Sequence, residues 1–75
     1  MYTKFEQQDL KRLGENIRSL RKDRGYSQEG FADAVGLHRT YMGGVERGER
    51  NLSVLNLLKI MRKLEVPPNG LLAGL

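Results

Sequence analysis

Residues 27–48, SQEGFADAVGLHRTYMGGVERG, hold two short apolar segments, each opened by a residue at a capping position and closed by a glycine. Ser27 offers its hydroxyl to the free amides of a helix whose buried side is Phe31, Ala32 and Val35 and which stops at Gly36. Residues 38–47 predict a second helix, with His38 at its cap, Met42 and Val45 turned inward, and Gly48 as its stop. Two short helices joined by a few residues that include a glycine have the sequence shape of a helix-turn-helix.

The flanks agree with this reading. Over residues 5–24, Leu10, Leu13, Ile17 and Leu20 recur at the three- and four-residue spacing of one helical face, and Gly25 supplies a stop. Downstream, Ser53 caps a helix whose core positions are read as Val54, Leu57, Leu58, Met61 and Leu64. Pro67 and Pro68 then break the chain before a short leucine-rich closing turn. No segment alternates with a period of two, so the fold class is all-α, a single domain of five helices over residues 1–75.

A chain of 75 residues buries only about 60% of the surface it exposes when unfolded, so a second copy would add needed stability. Neither disulfides nor thiolate metal sites are available, because there is no cysteine. The net charge of +4 and a pI near 9.8 point to a polyanionic partner. The N-terminal MYTKFEQQDL lacks the apolar run of a secretory signal, and no stretch approaches the roughly 20 apolar residues of a membrane span, so a cytoplasmic location is expected. Glu15, Glu29 and Asp33 have no partner His, Cys or metal-ligand spacing, and His38 is the only histidine. The expectation is a non-enzyme without metal or cofactor.

In a helix-turn-helix the second helix lies in the major groove and its first turn meets base edges. Arg39 can donate two hydrogen bonds to guanine, Thr40 can offer a hydroxyl or a methyl group, and Tyr41 can reach sugar, phosphate or a thymine methyl. His38 is placed on phosphate, as are Arg47, Arg50 and Asn51 beyond the helix, where contacts fix register without reading sequence. Gly43 and Gly44 cost about 1 kcal/mol each against alanine in mid-helix, which is read as room for close approach to DNA. Leu55, Ile60, Val66, Leu71, Leu72 and Leu75 exceed the needs of one small core and predict a two-fold interface. Such a homodimer would set two reading helices about 34 Å apart.

Residues 17–64 resemble the lambda-repressor-like, or Xre, helix-turn-helix family. The resemblance rests on Arg21 with Arg24-Gly25, Ser27-Gln28-Glu29, Ala32, Gly36 and Val45-Glu46-Arg47-Gly48. Within that family, the small size and the run GLHRTY resemble the controller proteins of restriction-modification systems. The resemblance implies a dimeric regulator of transcription on double-stranded DNA with inverted repeats, acting by where it sits relative to RNA polymerase. Glu29, Asp33 or Glu49 would then be acidic groups available to polymerase. It also implies that Gln28 contacts phosphate and braces the reading helix, that Arg39 and Thr40 read bases, and that Arg21 and Glu46 form a structural ion pair. A phage or plasmid repressor, an antitoxin, or a protein-interaction module without a DNA role are the alternative readings of the same fold.

Overall fold

The computed structural model describes residues 1–75 as five helices and no strand. Helix α1, Lys4–Asp23, opens on a reciprocal capping box: the Glu6 amide donates to Thr3 Oγ1 at 3.1 Å and the Thr3 amide to Glu6 Oε1 at 2.7 Å. Helix α2, Gln28–Val35, is capped by Ser27 Oγ, which accepts from the Gly30 amide at 2.9 Å. Helix α3, Arg39–Glu46, is capped by His38, and α4, Val54–Leu64, by Ser53. Helix α5, Pro68–Leu71, begins on a proline, whose missing amide proton costs nothing in a first turn. Gly25, Gly36 and Gly48 take φ of 80°, 82° and 75° after the first three helices. Helix α4 ends instead on Glu65 at φ 57°, the one non-glycine residue in the left-handed region, where an L side chain costs about 1–2 kcal/mol.

All five helices contribute to one core of Ile17, Phe31, Ala32, Met42, Val45, Ile60, Leu64 and Leu71. Tyr26 meets Phe31 edge to face, with ring centroids 5.2 Å apart. Two expectations change here. Val54, expected in the core, is 73% exposed, and Ile60, expected among the surplus apolar residues, is fully buried. Leu71 is likewise part of the core at 1% exposure, so it is withdrawn from the interface residues. The Asn16 amide secures that end of the chain, donating to the carbonyls of Leu71 and Ala73 at 2.9 and 2.8 Å.

Helix α1 lies closest to α3 at two glycines. A Cβ on Gly14 would stand 2.5 Å from the Val45 carbonyl oxygen and 2.6 Å from that of Glu46. A Cβ on Gly48 would stand 2.7 Å from the Lys11 Cα. Both contacts are with main-chain atoms, so the middle of α1 rests directly on the end of α3.

Candidate nucleic-acid interface

Helix α3 is held from below by a buried polar cluster. Arg21 of α1 donates through Nε to Glu46 Oε2 at 2.7 Å and through Nη2 to Oε1 at 2.9 Å, and its Nη1 reaches the Tyr26 carbonyl at 2.9 Å. Gln28 of α2 adds a third bond to the carboxylate, from Nε2 to Glu46 Oε1 at 3.0 Å. These Glu46 bonds push the Arg21 guanidinium up from its ordinary value against the opposing effect of burial. One carboxylate on the last residue of α3 is therefore gripped by both preceding helices, which fixes how α3 is carried.

The opposite end of α3 is open. His38 Nδ1 accepts from the Thr40 amide at 3.2 Å, a side-chain cap that requires this ring nitrogen to be unprotonated. Its Nε2 edge remains available for a phosphate. Arg39 and Thr40 follow, both exposed. Arg39 Nη2 meets Asp33 Oδ2 of α2 at 3.0 Å, with both side chains 61% exposed, and this bond raises the Arg39 pKa. Tyr41, expected to reach DNA, has its ring half-buried against the core, and its hydroxyl donates to the Asn51 carbonyl at 2.9 Å. The one phenolic proton is thus spent within the protein, tying α3 to the loop that follows it.

Gly43 and Gly44 stand one turn beyond Arg39 and Thr40 on the same helical rows. The structure corrects the reading of these glycines as room for DNA, because both are buried beneath protein side chains. A Cβ on Gly43 would lie 3.1 Å from Arg47 Nη1 and 3.3 Å from Gln28 Oε1, and one on Gly44 would lie 2.6 Å from Arg50 Cγ. The missing side chains let Gln28, Arg47 and Arg50 lie across α3, with Arg50 and Asn51 brought beside it from the loop. Arg47 also pairs with Glu49, its Nε 3.1 Å from Glu49 Oε1. Of the three acidic residues considered for polymerase, Asp33 and Glu49 are therefore engaged with arginines.

The expected interface residues divide. Leu55, Leu72 and Leu75 are 60%, 38% and 53% exposed, whereas Val66 is half-buried against the core. Leucine content alone does not tell these cases apart. Sequence reasoning also passed over Asp33 as a partner of Arg39 and Gly14 as the seat of α3. Gly14 carried a signal, a glycine in the interior of an otherwise strong amphipathic helix, which usually has a packing reason. No three His, Cys, Asp or Glu side chains are gathered where they could hold a metal, and no helix is long and apolar enough to cross a membrane.

Comparison with known proteins adds an independent observation. A family model described as helix-turn-helix matches residues 17–71. Control protein C.SmaI of Serratia marcescens is 48% identical over 52 residues, a match spanning 69% of this chain and 62% of that protein. The crystal structure of the restriction-modification controller protein C.AhdI from Aeromonas hydrophila superposes with a TM-score of 0.80 at 47% identity, covering 85% of this chain and 97% of that one. The restriction-modification controller protein C.Esp1396I, solved as a tetramer in complex with its natural 35 base-pair operator, gives a TM-score of 0.73 at 37% identity, covering 83% and 82%.

Proposed function

The chain belongs to the helix-turn-helix family, and on that premise we propose that it is a sequence-specific regulator of transcription, the controller protein of a restriction-modification system. The observation that carries this reading is the first turn of α3: Arg39 and Thr40 stand exposed on a helix whose other end is clamped by Arg21 and Gln28 through Glu46. A reading head needs a free tip and a fixed base, since a base contact is worth its discrimination only if the side chain arrives in register.

Arg39 and Thr40 make the base contacts. Gln28, His38, Arg47, Arg50 and Asn51 meet the backbone, where arginines 47 and 50 supply charge and the His38 imidazole can donate through Nε2. Tyr41 contributes chiefly by position, since its hydroxyl anchors the Asn51 segment beside α3. Two copies associate through the exposed Leu55, Leu72 and Leu75 with Val66 at the margin, and the pair reads an inverted repeat. Occupancy then either obstructs RNA polymerase or assists it, with Glu29 the acidic group left without an arginine partner in this region. Arginines 39, 47 and 50 gathered around one short helix favour a polyanionic partner over a module that binds only protein.

Selection of random duplex DNA on the purified chain at moderate salt tests the proposal. Recovery of an inverted repeat with half-site centres about 10 base pairs apart, or a multiple of that spacing, is the expected result. Retention of duplex with no common motif would leave only charge-driven binding and would defeat it.

A further inference from the structure

We propose that Asp33 is a specificity-determining residue, which restrains Arg39 so that a base edge satisfies it better than a phosphate does. The inference rests on the reading of Arg39 as a base contact. Asp33 sits in the last turn of α2 and accepts one hydrogen bond, from Arg39 Nη2 at 3.0 Å. A guanidinium carries five N–H donors in a rigid fork, and guanine requires two parallel ones. Whichever Nη2 hydrogen Asp33 takes, one edge with two parallel donors is left intact. The bond therefore limits where the fork can point without disabling it.

Charge works in the same direction. Attraction to phosphate depends on net charge near the backbone and is indifferent to sequence, whereas a guanine edge is recognised by the geometry of paired donors. An acid beside Arg39 cancels part of the first and leaves the second. Because both side chains are 61% exposed, solvent and salt screen the pair, and it can yield when a correctly placed base is offered. Asp33 thus withholds Arg39 from wrong sites at little cost at the right one. Glu29, which also acts on Arg39 through space, makes no direct bond to it and cannot fix its direction.

The experiment compares the wild-type chain, Asp33→Asn, Arg39→Ala and the double variant. Dissociation constants are measured at one salt concentration for the selected inverted-repeat duplex, the same duplex with each half-site guanine substituted in turn, and a scrambled duplex. Asp33→Asn is expected to bind the scrambled duplex more tightly and to lower the ratio of specific to scrambled affinity by about two- to five-fold per half-site, the scale of an exposed ion pair. That loss should vanish when Asp33→Asn is made in the Arg39→Ala background. Equal tightening on every duplex would mean that Asp33 contributes only bulk charge, and would overturn the inference while leaving the proposed function in place. A loss of discrimination that persists without Arg39 would overturn it too. If Arg39→Ala itself left discrimination untouched, the assignment of Arg39 as a base contact would fail first, and this inference with it.

Discussion

Replacing Glu46 by alanine removes the acceptor of three hydrogen bonds and leaves the Arg21 guanidinium buried with two donors unmet. Breaking a buried pair by deleting one partner costs about 3–5 kcal/mol, most of it the stranded charge. No compensation comes from the helix dipole of α3 beyond a fraction of a kcal/mol, roughly 0.3–1, gained by losing an acid at its C-terminus. A domain of 75 residues has a total stability of about 4–11 kcal/mol, so Glu46→Ala should consume a large part of it. The melting temperature should fall by about 12 °C or more. Urea unfolding followed by far-ultraviolet circular dichroism reads this directly. Glu46→Gln, which keeps one acceptor oxygen, should lose less. The double variant Arg21→Met with Glu46→Met should recover most of the loss, since an apolar pair of similar volume strands no charge. A Glu46→Ala loss below about 1 kcal/mol would refute the reasoning, because it would mean that Arg21 finds water and that the pair is not the clamp described.

Four further outcomes are expected. Gly14→Ala gains about 1 kcal/mol of helix propensity, yet its methyl meets two main-chain oxygens at 2.5 and 2.6 Å, so the net effect is destabilising and the urea midpoint should fall; a rise would show that α1 and α3 are not in that contact. His38→Ala should cost about 0.5–2 kcal/mol through loss of the cap, whereas His38→Asn, which can cap α3 itself, should retain stability and isolate any DNA role of the imidazole. Arg39→Ala should relax preference at one position per half-site by about five- to a hundred-fold, while Arg50→Ala should weaken all duplexes alike and reduce the salt slope by about one unit; equal behaviour of the two in titrations against selected and scrambled DNA would show that bases and backbone have been assigned wrongly. Leu72→Glu should shift the chain toward monomer in light scattering, weaken operator binding and lower the unfolding midpoint by the stability the dimer adds; an unchanged mass would remove Leu72 from the interface.

Local signals in this chain were legible where one residue type does one thing. Ser27 and Ser53 cap, and Gly25, Gly36 and Gly48 stop their helices at positive φ, because these roles depend on a hydroxyl or on the lack of a Cβ. The Thr3 to Glu6 box, a threonine followed three residues later by glutamate, was passed over, and it starts α1 one residue before the apolar pattern suggested. Helix α4 was harder. Its apolar residues cover more than one face, and only its neighbours decide that Ile60 is inward and Val54 is not. The stop at Glu65 had no glycine to announce it. Leu71 and Leu72 are adjacent and chemically identical, and the choice between them is made by how α5 is docked on α1. Gly43 and Gly44 show a deeper limit: a missing side chain marks a vacancy in one dimension, while the tenants, Gln28, Arg47 and Arg50, are 15, 4 and 6 residues away along the chain.

The contact of α1 with the end of α3 at Gly14 and Gly48 separates two properties that usually change together. Side-chain cores are compressible over generations: a leucine becomes a methionine, a neighbour shrinks, and helices drift by fractions of an ångström. Main chain resting on main chain has no such slack, since no exchange of side chains alters the thickness of a peptide group. On the proposed reading of residues 39 and 40 as base contacts, the hydrophobic residues beneath α3 can therefore be revised for thermal tolerance while the tip stays aimed at the same base pair. Conversely, residues 39 and 40 can acquire a new target without renegotiating the interior. A lineage that has to keep one promoter while adapting to new temperatures, or keep its temperature while adopting another promoter, can do either by single steps on this scaffold.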